Sequence, residues 1–130
     1  MTISKCTHKI DPSVQQSIMS TFNHVKNQVE FDCFANLRTK WVDPFYGELC
    51  FIISEVLIMN PDTNLKINGS YIHTYIVQEI FLQLRNYHLR LVRDNFQNVS
   101  CQVYNKKAYL RTALYNAFFE HEAHLINLTD

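Results

Sequence analysis

In every long stretch of this chain the apolar residues recur at intervals of three and four, and turn-forming pairs cut those stretches to the length of short helices. Asp11-Pro12 supplies a side-chain acceptor at an N-cap and a proline in the first turn. Val14, Ile18, Phe22 and Val25 then form one stripe, backed by Gln15, Gln16, Ser20, Asn23 and Lys26. Asp43-Pro44 repeats the start signal. Phe45, Leu49, Ile52, Ile53, Val56 and Leu57 follow on one broad face, which predicts the most buried helix, ending at Asn60-Pro61-Asp62. Between these two helices, Phe34 and Leu37 keep a helical interval while Val29-Glu30-Phe31 alternates, so the type of that segment stays open.

Leu65-Lys66-Ile67, then Asn68-Gly69, then Ser70-Tyr71-Ile72 predicts a two-stranded ribbon around a tight turn. From Thr74, the spacing of Val77, Ile80, Phe81 and Leu84 is helical again. Asn86 breaks that helix and caps a further one that turns Leu89, Val92 and Phe96 inward and leaves Arg90 and Arg93 on its more exposed side. Asn98 to Cys101 is a connection, and Asn105 sits where the N-cap of the last helix belongs, with Leu110, Leu114, Ala117 and Phe118 related by threes and fours. The expected fold is all-α or mainly α, a compact bundle of five or six short helices with one small β-hairpin.

A chain of 130 residues has room for one core. Its two glycines leave nothing with which to build a dinucleotide fingerprint or a phosphate-cradling loop. Twelve basic and twelve acidic residues cancel, but unevenly along the chain. Residues 66–111 hold seven Lys or Arg against two Asp or Glu, a net of +5, between acidic flanks. That stretch is either a modest positive face or a set of ordinary solvated helix faces. Cys6, Cys33, Cys50 and Cys101 lack zinc-finger spacing, and the first ten residues lack the apolar run of a signal segment, so the expected setting is cytoplasmic with reduced thiols. The apolar run around Phe51-Ile52-Ile53 is too short to span a bilayer, and no membrane partner is expected.

Signals for catalysis are sparse. His121-Glu122-Ala123-His124 separates its histidines by three residues rather than the four of a zinc-protease helix and has no third ligand in view, so it reads as a solvated helix end. His24, His73 and His88 are isolated, and no serine or cysteine carries a nucleophile signature. The expectation is a non-enzyme with no cofactor and no metal. Nucleic-acid binding has more to offer: Lys106, Lys107 and Arg111 lie around the start of the last helix, with Arg85, Arg90 and Arg93 nearby if the preceding helix lies alongside. Tyr104, Tyr109 or Tyr115 could stack on unpaired bases. The competing account is surface lysines beside tyrosines that bury their rings and keep their hydroxyls near water.

Lys66-Ile67-Asn68-Gly69, Val77 to Leu84 followed by His88, and above all Asn105-Lys106-Lys107-Ala108-Tyr109-Leu110-Arg111-Thr112-Ala113-Leu114-Tyr115-Asn116-Ala117 resemble, in that order, the C-terminal domain of RepA-type replication initiators of Gram-positive plasmids and conjugative elements. Lys26 to Asp32 resembles that family's opening motif. The resemblance implies a helical module similar to the C-terminal domain of DnaD-like primosome proteins, over residues 22–118. Residues 1–21 would then be an N-terminal helical extension and 119–130 an acidic C-terminal tail. It further implies recruitment of host replication proteins, either primase or the helicase and its loader, with weak single-stranded DNA contact as an addition. The implied contact residues are Lys106, Lys107, Tyr109, Arg111, Tyr115 and Asn116, and the residue spacing adds Arg90 and Arg93. Gln83 stands where the family has a basic residue, Phe118-Phe119 continues where relatives turn at proline, and the family's winged-helix region has no counterpart in these residues. The alternative is a structural or oligomerising domain with no nucleic-acid contact; the oligomeric state is not legible in the sequence.

Overall fold

The computed structural model describes residues 12–97 and 105–129, with side chains over 17–96 and 105–126. Helix α1 spans Pro12–Gln28 and α2 spans Pro44–Leu57. A hairpin of β1 (Asn64–Ile67) and β2 (Ser70–His73) comes next, then α3 (Thr74–Phe81), α4 (Asn86–Gln97) and α5 (Lys106–Thr129). The fold is therefore mainly helical with one small antiparallel ribbon. Helix α2 is the axis of the bundle: it packs against α1, α3, α4 and α5, while α4 and α5 pair with each other.

Seven residues of α2 are buried: Phe45, Leu49, Cys50, Ile52, Ile53, Ser54 and Val56. Leu57, expected on the same face, is only half-buried, because the helix ends there and its carbonyls turn toward α3. Ser54 tolerates the core because its hydroxyl donates to the Cys50 carbonyl at 2.7 Å. Around α2 the core is closed by Val25 and Val29, by Phe81 and Leu84, by Leu89 and Val92, and by Leu110, Leu114 and Ala117.

The start signals of α2 and α5 act as expected, whereas Asn86 does not cap α4: it is the first residue of that helix and its side-chain amide donates to Glu30 at 2.9 Å. Asp43 accepts from the Phe45 amide at 3.0 Å and Asn105 accepts from the Ala108 amide at 3.1 Å. The Asp11 cap and the connection at Asn98 to Cys101 lie outside the described residues. Asn68 and Gly69 both take positive φ, at 55° and 81°, as the tight turn of a twisted hairpin requires. The ribbon pairs Leu65 with Ile72 and Lys66 with Tyr71, putting the first pair inward and the second outward.

Two glutamines close helix ends from a distance. Gln78 of α3 donates to the carbonyls of Val56 and Met59, both at 2.9 Å, and Gln28 of α1 donates to those of Phe81 and Leu84 at 3.0 and 2.9 Å. The ambiguous segment after α1 is a 3-10 turn, Phe31–Phe34, entered through Glu30 in the left-handed region. Leu37 follows it on a loop and faces solvent rather than continuing a helical stripe with Phe34. Helix α1 runs across residues 21 and 22 without a break, and α5 likewise continues past Phe118 to Thr129, so the acidic tail is helical over its described residues.

Candidate partner-binding surface

The charges that the sequence separates are brought together by the fold. Helix α2 and its cap carry Asp43, Glu48 and Glu55, and the basic start of α5 lies along it. Lys106 pairs with Glu48 at 3.0 Å, and Lys107 sits 3.1 Å from both oxygens of Glu55. Arg93 of α4 pairs with Asp43 at 2.8 Å. Three cations of the +5 stretch are thus matched by carboxylates from the acidic stretch before it. The chain's charge pattern is complementary to itself.

Rings complete this seam. The Phe45 ring lies under both Arg93, at 4.7 Å, and Lys106, at 5.8 Å. Phe96 packs on Phe45 and meets the edge of Tyr109 at 5.9 Å. Asp43 is held below its ordinary carboxylate range, first by the Phe45 amide it accepts from and then by Arg93, against the opposing effect of burial. Arg93 accordingly does not lie on the exposed side expected for it. Arg90 is exposed but anchored: its guanidinium donates to the Cys33 carbonyl at 3.0 Å and lies 5.0 Å over Phe34.

The remaining expected residues divide. Tyr109 is 37% exposed, and with Asn95, Thr112, Ala113, Asn116 and Glu120 it borders a depression of about 180 Å³. Asn116 exchanges two hydrogen bonds with Asn68, at 2.9 and 3.1 Å, tying the ribbon turn to α5. Tyr115 is half-buried against Phe119. Arg111 is half-buried, with its Nε enclosed and unpartnered among the described residues. Tyr104 lies outside the described residues. The eight residues therefore do not form one basic patch: Lys106, Arg93 and Tyr109 share the Phe45–Phe96 seam, Asn116 serves the ribbon, and Arg90 belongs to the turn at Cys33.

Two features escaped the sequence reading. The first is His88, which is 2% exposed at the start of α4. Its Nδ1 accepts from the Arg85 amide at 2.8 Å, taking the part that a glutamate or glutamine plays in a capping box. Burial, then the nearby His121 and Arg85, push its pKa down to about 4, so it is neutral near pH 7 and keeps that acceptor. The apolar positions on either side and an Asn at 86 were visible, but not that the ring would point back. The second is the loop Asn36–Trp41, which leaves Leu37 90% and Trp41 62% exposed. A run of Leu, Arg, Lys and Trp with no apolar periodicity was its one signal.

Among the described residues, no group of three or more His, Cys, Asp or Glu gathers as a metal site, and no helix is long and apolar enough to cross a membrane. His121 sits against Tyr87 and His88, at 4.3 and 5.1 Å between rings, while His124 is exposed. Cys33 and Cys50 are free thiols, and burial pushes that of Cys50 up to about 12, far from a nucleophile's range. Residues 7–129 match the model of the family described as "Family of unknown function (DUF6017)", and the chain belongs to that family. No curated protein and no solved structure matches it.

Proposed function

We propose that this DUF6017 member is a non-enzymatic accessory domain of DNA replication initiation, working in the cytoplasm, that docks on a host replication protein: primase, or the helicase or its loader. The resemblance of Asn105–Ala117 and the ribbon turn to RepA-type initiators supports the setting. Docking, rather than phosphate binding, is carried by one observation: Lys106, Lys107 and Arg93 each hold a carboxylate of α2 or its cap. Cations matched in this way by neighbouring carboxylates offer little net potential to a duplex. What the pairing leaves open is the part of Tyr109 that borders the depression, beside the amide of Asn95 and the hydroxyl of Thr112. Exposed tyrosine beside hydrogen-bonding groups suits a protein contact. A weak single-stranded DNA contact through the same ring is a minor part of this reading.

The test measures binding of the whole chain to primase, helicase and loader, in parallel with labelled single- and double-stranded DNA across a salt series. The expected result is saturable binding to one of the proteins, weakened about tenfold or more by Tyr109→Ala. Steeply salt-dependent DNA binding that is lost in Lys106→Glu/Lys107→Glu, with no protein bound, would overturn it.

A further inference from the structure

We propose that Asn68, in the ribbon turn, is a site of spontaneous deamidation and that Asn116 of α5 holds it in check. Of all the asparagines in the chain, Asn68 alone precedes a glycine. Deamidation is an attack by the next residue's backbone nitrogen on the asparagine carboxamide, and a side chain on that next residue crowds the approach. Gly69 has no Cβ to do so. Both residues are exposed, and beyond the chain neighbours no atom stands within 4 Å of where a Gly69 Cβ would lie. The pair that gives the hairpin its tight turn, with φ of 55° and 81°, is thus also the dipeptide most open to this chemistry.

The step needs only water as co-reactant. The Gly69 nitrogen loses its proton and bonds to Asn68 Cγ, the Cγ–Nδ2 bond breaks, and Nδ2 leaves as ammonia. Water then opens the cyclic imide at either of its carbonyls. One product is an aspartate at position 68; the other is an isoaspartate, whose main chain runs through the former side chain.

Closing the ring requires the Asn68 carboxamide to swing toward Gly69, and the fold opposes that swing. Asn68 Nδ2 donates to Asn116 Oδ1 at 2.9 Å, and Asn116 Nδ2 donates back to Asn68 Oδ1 at 3.1 Å, from a helix 48 residues further along the chain. The second bond polarises the carbonyl under attack, but both bonds must break before Cγ can meet the nitrogen. The pair therefore guards the site for as long as the ribbon rests on α5. It also makes the modification consequential. An aspartate at 68 has no donor for Asn116 Oδ1, so one hydrogen bond is replaced by a contact between oxygens. An isoaspartate lengthens the main chain between Ile67 and Ser70, which pair with each other, and the register behind them cannot absorb the extra atom. Either product frees the ribbon turn from α5, and neither reverts by itself.

The experiment ages the full chain in warm, mildly alkaline buffer, folded and in denaturant, and follows residue 68 by peptide mass spectrometry with an isoaspartate assay. The denatured chain sets the unguarded rate, and Gly69→Ala in denaturant should slow it strongly. The folded chain should convert at least about tenfold more slowly than the denatured one, and Asn116→Ala should speed the folded reaction by about threefold or more. Val92→Ala, which weakens the core at a buried position away from the pair, should not speed it. In Asn68→Asp the backbone amides of the ribbon should exchange with solvent faster, while those of α2 keep their protection. The proposal is overturned by the absence of product at residue 68 in denaturant, or by a folded rate equal to the denatured one. Equal rates for Asn116→Ala and the unsubstituted chain, or equal acceleration by Asn116→Ala and Val92→Ala, overturn the guarding role.

Discussion

The seam where α5 meets α2 and the loop between α1 and α2 are built from the same residue types, basic side chains beside large rings, yet they end in opposite states. In the seam Lys106, Lys107 and Arg93 reach carboxylates, and Phe45 lies beneath two of the cations. In the loop Arg38, Lys40 and Trp41 stay open, although the backbone between them is closely hydrogen-bonded. A basic, aromatic run is thus no sign of a ligand by itself.

The sharpest way to break this contrast is to truncate one leucine in each region. Leu114→Ala, at a fully buried position under the seam, should cost about 3 to 4 kcal/mol in denaturant unfolding. Leu37→Ala should stay within about 0.5 kcal/mol. A large loss at Leu37 would mean that the loop is part of the core.

Lowering the pH probes the polar underside of α4. The His88 pKa is depressed from 6.5 to about 4 in the folded chain, so between those values the unfolded state binds the extra proton. Stability should be level above about pH 6.5 and fall by roughly 2 to 3 kcal/mol as pH drops toward 4. His88→Gln, which keeps an acceptor for the Arg85 amide, should remove this part of the slope while leaving the helix start capped.

Asp43→Ala removes a cap and an ion-pair partner together and should cost about 1 to 2 kcal/mol near neutral pH. Because the folded-state pKa of Asp43 is lowered, its stabilisation is present above the ordinary value of 3.8 and is lost as pH falls further. Within the seam the smallest effects belong to Lys106→Ala and Lys107→Ala, each within about 1 kcal/mol, because these pairs are half-exposed and screened. Losses well above that would show the seam to be a structural lock rather than charge matching.

Local signals carried most of the helix and ribbon assignments, because a cap, a proline and a three-four spacing act within one or two turns. Asp43, Asn68-Gly69 and Asn105 did what their types do anywhere. The segment Phe31–Phe34 was harder: a left-handed Glu30, held partly by Asn86 donating to its carboxylate at 2.9 Å, cannot be read from its neighbours. For the candidate surface, the residue types near Asn105 were legible but their pairing was not, since Glu48 and Glu55 lie more than fifty positions away from Lys106 and Lys107.

The sequence by itself determined the kind of most elements, where most of them start, and which way most leucines, valines and isoleucines face, since each depends on the periodicity and turn chemistry of adjacent residues. Tertiary structure decided the rest. It made Gln28 and Gln78 into caps for other helices, turned His88 into a buried neutral acceptor, and consumed the basic start of α5 in ion pairs while leaving Arg38, Lys40 and Trp41 open. A polar side chain's role is set by the partner within about 3 Å of it, and only the packing of distant segments decides which partner that is.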